Sequence, residues 1–315
     1  MSESHNQSQD YSRAKIAWLY FNGGMTQQQI ANHLGITRLR VNQVIGQVRD
    51  DGLVSVRLNI PLADCVELAE KLRRKFELAD AMVVYSTPDY VSNQRVIGEA
   101  AASMLASNLR GHEGVGIGWG RTLSFAVRNL PNIRHDCKWV AGLMGAVTRG
   151  SGTNTIEVST ALANSLNVEC HYITAPIYCP TFDSRELILS HPEITKVMQK
   201  AERASAALVA CGDLSHHSPV SGLDMVAEHL TELSDLRAVG EILGCFLDAE
   251  GNVVDHPINR SILALPVDRL RDKKVTILAS GGRNKLPIIR SVLLGGYVNR
   301  LVTDEVVARA LLYES

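Results

Sequence analysis

Hydrophobic side chains recur at helical spacing through the first fifty residues of the chain. Ile16, Leu19 and Tyr20 fall on one face of residues 12–22, and two glycines follow, so the pattern predicts a helix that ends there. Two shorter helical patterns come next, separated by Gly35. We therefore expect three short helices with a tight glycine turn between the second and the third.

Threonines stand where the second and third helices should begin. Thr26 precedes Gln29 by three residues, which is the spacing of a capping box, and Thr37 offers an N-terminal cap to the third helix. The third helix repeats aliphatic residues at i, i+3, i+4 and i+7, namely Val41, Val44, Ile45 and Val48. This arrangement is typical of a helix-turn-helix, whose second helix enters the major groove of DNA.

The polar side of the third helix carries residue types that contact DNA. Arginine pairs with guanine or phosphate, and asparagine and glutamine pair with adenine. With the polar residues at the two helix starts, the candidate DNA-binding residues are Thr26, Gln27, Thr37, Arg38, Arg40, Asn42, Gln43 and Gln47. A three-helix bundle with merely solvated polar residues is the alternative. The alternating residues 53–60 are expected to form a wing, with Arg57 near phosphate.

The segment MTQQQIANHLGITRLRVNQVIGQVRDDGLVSVRLNI resembles the DNA-binding module of the SorC family of bacterial sugar-operon regulators. That family shows M-T-Q-x-x-I-A-x-x-L-G before a Ser- or Arg-rich recognition helix. This chain departs from the common serine-arginine start, with Arg38-Leu39-Arg40 and Asn42-Gln43 in its place. The resemblance implies operator DNA as a partner and a tetramer, whereas the sequence alone supports a homo-oligomer, either dimer or tetramer.

A further helix is predicted between two domains. Val66, Ala69, Leu72 and Phe76 fall on one side of residues 64–76. This stripe either packs on the large domain or pairs with another subunit, and the pattern leaves both open. Domain boundaries follow from the change in pattern, with a DNA-binding domain over 1–60 and an effector and oligomerisation domain over 61–315.

From residue 81 onward, short apolar runs alternate with helical patterns. The runs are AMVVY, GVGIGW, KWVAGLM, VECHYI, AALVAC, VGEILGCFLD and VTILAS. Alternating strands and helices predict a parallel sheet, and a composition of 45% hydrophobic but only 5% aromatic residues suits buried aliphatic strands. The expected fold class is α/β, with a helix-turn-helix followed by a Rossmann-like parallel-sheet domain.

Glycine-rich and basic segments follow three of these runs, where ligands bind in open α/β sheets. The segment GVGIGWGRT offers backbone N–H groups to an anion, residues 280–285 end in Lys285, and the loop 142–154 carries Arg149 and Asn154. A tight turn, a solvated lysine and a plain surface loop are the respective alternatives. The glycine spacing differs from the dinucleotide fingerprint, so no cofactor is expected.

The same segments resemble the SorC-family effector domain, whose fold is similar to glucosamine-phosphate deaminases and ribose-phosphate isomerases. The resemblance also rests on APIY at 175–178, ASGGRNKLPIIRSVLLGGYVNRLVTDE and ARALL. It implies that the glycine loop and Lys285 hold phosphate or sugar oxygens and that Asp248 accepts from sugar hydroxyls. The candidate effector-binding residues are Gly118, Gly120, Arg121, Thr122, Gly145, Arg149, Asn154, Asp248 and Lys285.

Charge and cysteine usage narrow the range of sites and functions that the sequence allows. Residues 1–60 hold six Lys/Arg against four Asp/Glu, a net +2, while the remainder holds 26 against 29, a net −3. The positive excess lies where a DNA contact is predicted. Six scattered cysteines without a CxxC pair indicate neither a zinc site nor a disulfide framework. No signal peptide or membrane span is visible, so a cytoplasmic protein is expected.

Two functions of different class fit these patterns. The first is a transcriptional repressor of a carbohydrate or polyol operon, controlled by a sugar, polyol or sugar phosphate. The alternative is an isomerase- or deaminase-like enzyme that would use Asp213, His216-His217 and Asp224 for proton transfer. Adjacent histidines point to opposite faces, so no metal site is expected. A helix-turn-helix would be unexplained in a metabolic enzyme, so we expect no catalytic residues.

Overall fold

The computed structural model describes residues 2–51, 62–147, 153–215 and 218–314. The chain separates into two compact units, Met1–Pro61 and Leu62–Ser315. Within the described ranges, no helix is both long and apolar enough to cross a lipid bilayer.

The first unit is a helix-turn-helix of three helices, α1 (Ser2–Phe21), α2 (Gln27–Leu34) and α3 (Arg38–Asp50). Helix α1 begins at Ser2 rather than at residue 12. The first half of this helix is polar and has no hydrophobic period, so the sequence pattern did not predict it. The predicted caps are confirmed. Thr26 forms a capping box with Gln29, and the Thr37 hydroxyl accepts a hydrogen bond from the backbone N–H of Arg40 at 3.2 Å.

An aliphatic core holds these three helices together. Its buried members are Ile16, Ala17, Ile30, Ala31, Val41, Val44, Ile45 and Val48, with Leu19 and Tyr20 at the margin. Gly35 has a φ of 64°, a left-handed conformation that glycine adopts without strain, and the chain turns there from α2 into α3. The predicted wing and Arg57 lie outside the described residues.

The second unit is built on a parallel sheet, as the alternation of apolar runs predicts. The strands of the unit are β1 (Asp80–Val84), β2 (Gly114–Ile117), β3 (Trp139–Gly142), β4 (Glu169–His171), β5 (Ala206–Val209), β6 (Cys211–Gly212), β7 (Gly240–Ile242), β8 (Cys245–Leu247), β9 (Val275–Ala279) and β10 (Arg300–Asp304). Seven of them pair in the order β1-β10-β9-β5-β2-β3-β4, with every pair parallel. The predicted parallel sheet is confirmed.

Helices alternate with these strands along the chain. They are α4 (Ala63–Lys75), α5 (Tyr90–Ser107), α6 (Arg121–Arg128), α7 (Thr155–Leu166), α8 (Phe182–Leu189), α9 (Pro192–Arg203), α10 (Asp224–Ala227), α11 (Leu230–Asp235), α12 (Pro257–Arg260), α13 (Leu286–Leu294) and α14 (Glu305–Tyr313). Adjacent strand residues such as Ile277 and Leu278 belong to different buried clusters. The sheet therefore has a hydrophobic core on each face, as parallel sheets require.

The run VGEILGCFLD does not continue the parallel sheet. It forms two short antiparallel strands, β7 and β8, which join β6 in a separate three-stranded sheet. Leu243 and Gly244 both have positive φ, 52° and 77°, which is the backbone of a two-residue hairpin turn. The expectation of one strand over this run was wrong, because leucine gives no turn signal in the sequence.

The helix predicted over 64–76 is α4, with a different buried face. Its buried residues are Cys65, Leu68, Ala69 and Leu72, whereas Val66 is 59% exposed. The helix packs against β1 and α14, and its buried residues belong to the core of the second unit. Of the two alternatives, the stripe therefore packs on the large domain, and Val66 lies outside it.

Candidate functional site

The exposed face of α3 carries the polar residues predicted to contact DNA. Their side chains are all exposed, and they are Arg38, Arg40, Asn42, Gln43 and Gln47. Neither Arg38 nor Arg40 forms an ion pair with any described residue. Both guanidinium groups therefore have no acidic partner in the part of the chain that the structure describes and are suited to phosphate or guanine.

Residues at the two helix starts have structural partners. Thr26 and Thr37 cap α2 and α3, and the Gln27 side-chain amide donates to the Asn42 side-chain oxygen at 3.2 Å. This last bond joins α2 to α3 at the surface. The two threonines therefore fix where α2 and α3 begin. This capping orients the polar face of α3, whether or not the threonines themselves contact DNA.

A cavity of about 170 Å³ opens where β2, β5 and β9 end. The chain runs from β2 towards β3 on one side and from β5 towards β9 on the other, so this is the point where the strand order reverses. The lining residues are Tyr90, Gln94, Trp119, Gly120, Arg121, Thr122, Thr153, Ala210, Cys211, Gly212, Pro219, Glu241 and Lys285. Of the predicted effector residues, Gly120, Arg121, Thr122 and Lys285 meet in this cavity.

The start of α6 forms one wall of the cavity. Gly120 has a φ of 113°, which a side chain would strain, and its N–H donates to the Thr153 carbonyl at 2.9 Å. Helix α6 begins at the next residue and has no acidic side chain in its first turn. The first N–H groups of a helix have no partners within it and carry partial positive charge. This wall is therefore suited to an anionic or oxygen-rich group.

Lys285 is positioned by two buried carboxylates that do not line the cavity. The neighbouring Asn284 donates to Asp213, which also accepts from the Ser215 hydroxyl at 2.8 Å. Asp304 accepts from the Gly282 N–H at 2.6 Å and from the Asn93 side chain at 3.0 Å. These bonds fix the loop before α13 and leave the Lys285 side chain, 9% exposed, in the cavity.

Glu241 was not predicted from the sequence, yet it lines the cavity. It is 4% exposed, and its carboxylate accepts from the Gly244 N–H at 2.7 Å. Burial raises the pKa of Glu241 to about 7, although the Gly244 hydrogen bond and the charge of Lys285 act in the opposite direction. The carboxylate in the middle of the apolar run VGEILGCFLD, whose only other acidic residue is the terminal Asp248, is the signal that could have identified it.

Gln94 was also missed, because it lies on α5, far in sequence from the glycine-rich segments. It is 9% exposed, and its side-chain oxygen has no hydrogen-bond partner among the described residues. A buried acceptor without a donor costs free energy unless something else donates to it. Since Gln94 lines the cavity beside Tyr90, a hydroxyl group of a ligand would satisfy it.

Two predicted glycines stand behind the cavity rather than in its wall. The Gly118 N–H donates to the Leu208 carbonyl at 3.0 Å and so links β2 to β5. At Gly145, a Cβ atom would come within 2.8 Å of the carbonyl oxygens of Ala175 and Pro176. Packing therefore requires glycine at position 145, whereas a Cβ atom at Gly118 would meet its nearest described atoms only at 3.4 Å or more.

Asn154 and Asp248 are likewise occupied elsewhere. Asn154 caps α7 and donates from its side chain to the Val147 carbonyl at 2.7 Å. Asp248 accepts from the N–H groups of Glu250 and Asn252, at 3.0 and 2.8 Å. Its carboxylate therefore closes the turn after β8, and Asp248 is absent from the described residues that line the cavity. Arg149 and His216-His217 lie outside the described residues.

The candidate acid/base residues of the enzyme alternative are not brought together at the cavity. Asp213 supports the loop of Lys285 from behind, and Asp224 is an exposed residue at the start of α10. Among the described residues, neither carboxylate lines the cavity. The carboxylate that does so is Glu241.

A cluster of His229, Glu232 and His256 lies away from the cavity. His256 Nε2 is 2.9 Å from the Glu232 carboxylate, and Nδ1 accepts from the Ile258 N–H at 3.2 Å. Since Nδ1 is an acceptor, Nε2 of the neutral ring carries the hydrogen and donates to Glu232. The hydrogen bonds from His256 and then His229 lower the pKa of Glu232. A metal ion on Nε2 would move the ring hydrogen to Nδ1 and remove the bond from the Ile258 N–H, so the observed contacts are those of a structural network.

Both units match known families. Residues 61–313 match the family described as a putative sugar-binding domain, and residues 8–71 match the Crp-like helix-turn-helix domain. The chain is 29% identical over 303 residues to the erythritol catabolism regulatory protein EryD of Brucella abortus (strain 2308), covering 95% of each chain. It is 31% identical over 305 residues to the transcriptional regulator LsrR of Escherichia coli O139:H28, covering 95% of this chain and 93% of that one.

The fold has a full-length counterpart among solved structures. The sorbitol operon regulator SorC of Klebsiella pneumoniae superposes with a TM-score of 0.75 at 24% identity, covering 96% of this chain and 98% of that one. The helix-turn-helix, the parallel-sheet domain and the relatives that match over nearly the whole chain all indicate the same family. The chain belongs to the SorC family of transcriptional regulators, with a helix-turn-helix domain followed by a sugar-binding domain.

Proposed function

We propose that this regulator represses a carbohydrate or polyol catabolic operon until a small sugar, polyol or sugar phosphate occupies the cavity and releases the DNA. The observation that carries the proposal is the cavity itself. It combines a helix N-terminus and Lys285 with the oxygen of Gln94, and α3 exposes two arginines; among the described residues, that oxygen has no hydrogen-bond partner and those arginines have no ion pair. Its relatives are named as regulators, which supports this function over the enzyme alternative.

The cavity has two chemically different sides. Arg121, the first turn of α6 and Lys285 donate hydrogen bonds or carry positive charge, which suits phosphate or sugar oxygens. Gln94 and Glu241 offer acceptor oxygens, which suit hydroxyl groups. A compact molecule with several hydroxyl groups, phosphorylated or free, would satisfy both sides at once.

On the DNA-binding domain, the proposed contacts are made by α3 and the start of α2. Arg38, Arg40, Asn42, Gln43 and Gln47 are the proposed base and phosphate contacts, with Thr26, Gln27 and Thr37 at the helix starts. A helix-turn-helix gains affinity by binding two half-sites, so we also propose that the protein acts as a dimer or tetramer. Operator DNA would place this activity in the cytoplasm.

Release follows if the ligand binds better to a state with weaker DNA affinity. A ligand shifts such an equilibrium only by its differential affinity for the two states. Typical coupling free energies of about 1 to 3 kcal/mol correspond to changes of about 5- to 150-fold in operator affinity.

The effector is identified by its effect on thermal unfolding. The purified protein is heated with a panel of free and phosphorylated sugars and polyols, and a ligand at about 100 times its Kd should add about 2.7 kcal/mol of stability. NMR of the mixture should show the compound unchanged, since a regulator binds without turnover. A panel that never shifts the melting temperature, or a ligand that is converted to product, would contradict the proposal.

A further inference from the structure

One large apolar side chain is exposed on the face of α3 that otherwise carries polar residues. Leu39 is 67% exposed and lies between Arg38 and Arg40, directly after the first residue of the helix. Single exposed leucines are ordinary on protein surfaces and need no explanation by themselves. The position of Leu39 within α3 decides whether its exposure indicates a function.

Helical geometry places Leu39 opposite the core of the first unit. At about 100° per residue, the buried Val41, Val44, Ile45 and Val48 define one side of α3. Leu39, Gln43 and Gly46 follow one another at i, i+4 and i+7 on the opposite side. The side chains of Arg38 and Arg40 project from the two flanks of this outward side. Leu39 is therefore an apolar side chain at the centre of the outward face, next to the polar Gln43 and flanked by cations.

Gly46 provides a second, independent observation on the same stripe. It lies in the middle of α3, where glycine destabilises a helix relative to alanine. Nothing within the protein requires it, because its φ is not positive and a Cβ atom there would meet no described atom within 4 Å. The missing side chain therefore leaves room for another molecule.

We propose that Leu39 contacts the C5-methyl group of a thymine in the major groove, while Gly46 lets α3 approach the DNA closely. The inference rests on the proposed function of α3 as the recognition helix. The thymine methyl is the apolar group that the four unmodified bases present in this groove, so it is the partner that an outward leucine fits. The flanking arginines contact phosphates or guanines on either side.

The test compares thymine with uracil, which differs only in lacking that methyl group. The full-length protein enriches duplexes from a random-sequence library, and each thymine of an enriched duplex is then replaced singly by deoxyuridine. For the wild type, one thymine in each half-site should weaken binding about fourfold, the effect of losing one buried methyl group. Leu39→Ala should bind more weakly and show no such sensitivity at that position.

Two further variants separate recognition from general effects. Leu187→Ala removes another exposed leucine, 74% exposed in the second unit, and should keep the wild-type response to uracil. Gly46→Ala should raise the melting temperature, because alanine favours the helix, and yet weaken binding to the enriched duplex. An alanine there that leaves DNA affinity unchanged would overturn the role of Gly46.

The outcomes for Leu39 are equally distinct. If no uracil substitution affects the wild type, or if Leu39→Ala keeps the full uracil sensitivity, the methyl contact is wrong while DNA binding stands. If the wild type enriches no sequence at all, the proposed function fails together with this inference.

Discussion

Glu241 is a residue of the cavity whose ionisation is strongly shifted by burial. Its pKa is raised to about 7 by burial, whereas an unfolded chain leaves it near 4.5. Between these values the folded state binds more protons than the unfolded state, so the free energy of unfolding falls as pH rises through that window. Lys285 and Asp213 are the charged groups that act on it, with opposite signs.

Replacing Glu241 by glutamine should remove this pH dependence. Glu241→Gln keeps an acceptor for the Gly244 N–H but no longer forms a buried charge, so its melting temperature at pH 8 should exceed that of the wild type. The difference should shrink towards pH 5, where the wild-type carboxyl is protonated. Calorimetry at the two pH values measures this. Glu228→Gln, an exposed control, should follow the wild type, and an equal difference at both pH values would contradict the assignment.

At the scale of elements, Asp304 joins four segments around the cavity. Its carboxylate accepts from the Ser86 hydroxyl, the Asn93 side chain, the Gly282 N–H and the Val307 N–H at the start of α14. The strand β10, the start of α5 and the loop before Lys285 are thereby fixed relative to one another. Asp304 is almost fully buried, so water cannot replace these bonds.

Asp304→Ala should therefore destabilise the second unit by about 3 kcal/mol, because several buried donors lose their acceptor. It should also weaken binding of the effector found by thermal unfolding, since the loop of Lys285 loses its anchor. Urea unfolding and calorimetric titration measure the two effects. Asp272→Ala removes an exposed carboxylate and should change neither quantity; an unchanged stability in Asp304→Ala would refute the anchoring role.

Elements with local signals were predictable from the sequence. Thr26, Thr37 and Gly35 mark the ends of α2 and α3 by capping and by left-handed φ, both of which depend on neighbouring residues alone. The hairpin of β7 and β8 was not predictable, because Leu243 adopts positive φ under tertiary constraint. Strand β10 was not assigned either, since its polar end, Thr303-Asp304, interrupts the apolar pattern.

The residues of the cavity were likewise predictable where they follow a strand, and not where they depend on tertiary packing. Arg121 and Lys285 stand directly after strands, where the geometry of a parallel sheet brings residues together. Gln94 and Glu241 reach the cavity from a helix and from the small antiparallel sheet, so only tertiary packing reveals them. Asp248 follows a strand without lining the cavity, and a carboxylate in that position closes a turn as readily as it binds a ligand.

At the scale of the whole molecule, the proposed mechanism assigns DNA binding to one unit of the chain and binding of a small polar effector to the other. The two activities should be separable by mutation, since the residues proposed for each lie in different units. Arg38→Ala or Gln43→Ala should weaken DNA binding while leaving the thermal response to the effector intact. Fluorescence anisotropy with an enriched duplex and thermal unfolding with the effector report on the two functions separately.

The central claim is that occupation of the cavity controls affinity for DNA. The most direct measurement is the Kd for an enriched duplex, with and without the stabilising sugar or polyol, for the wild type, Lys285→Ala and the exposed-lysine control Lys196→Ala. The ligand should weaken the wild type and the control about 5- to 150-fold. Lys285→Ala should bind the duplex normally and lose that response. A folded Lys285→Ala that no longer binds DNA, or a wild type whose affinity ignores the bound ligand, would contradict the account.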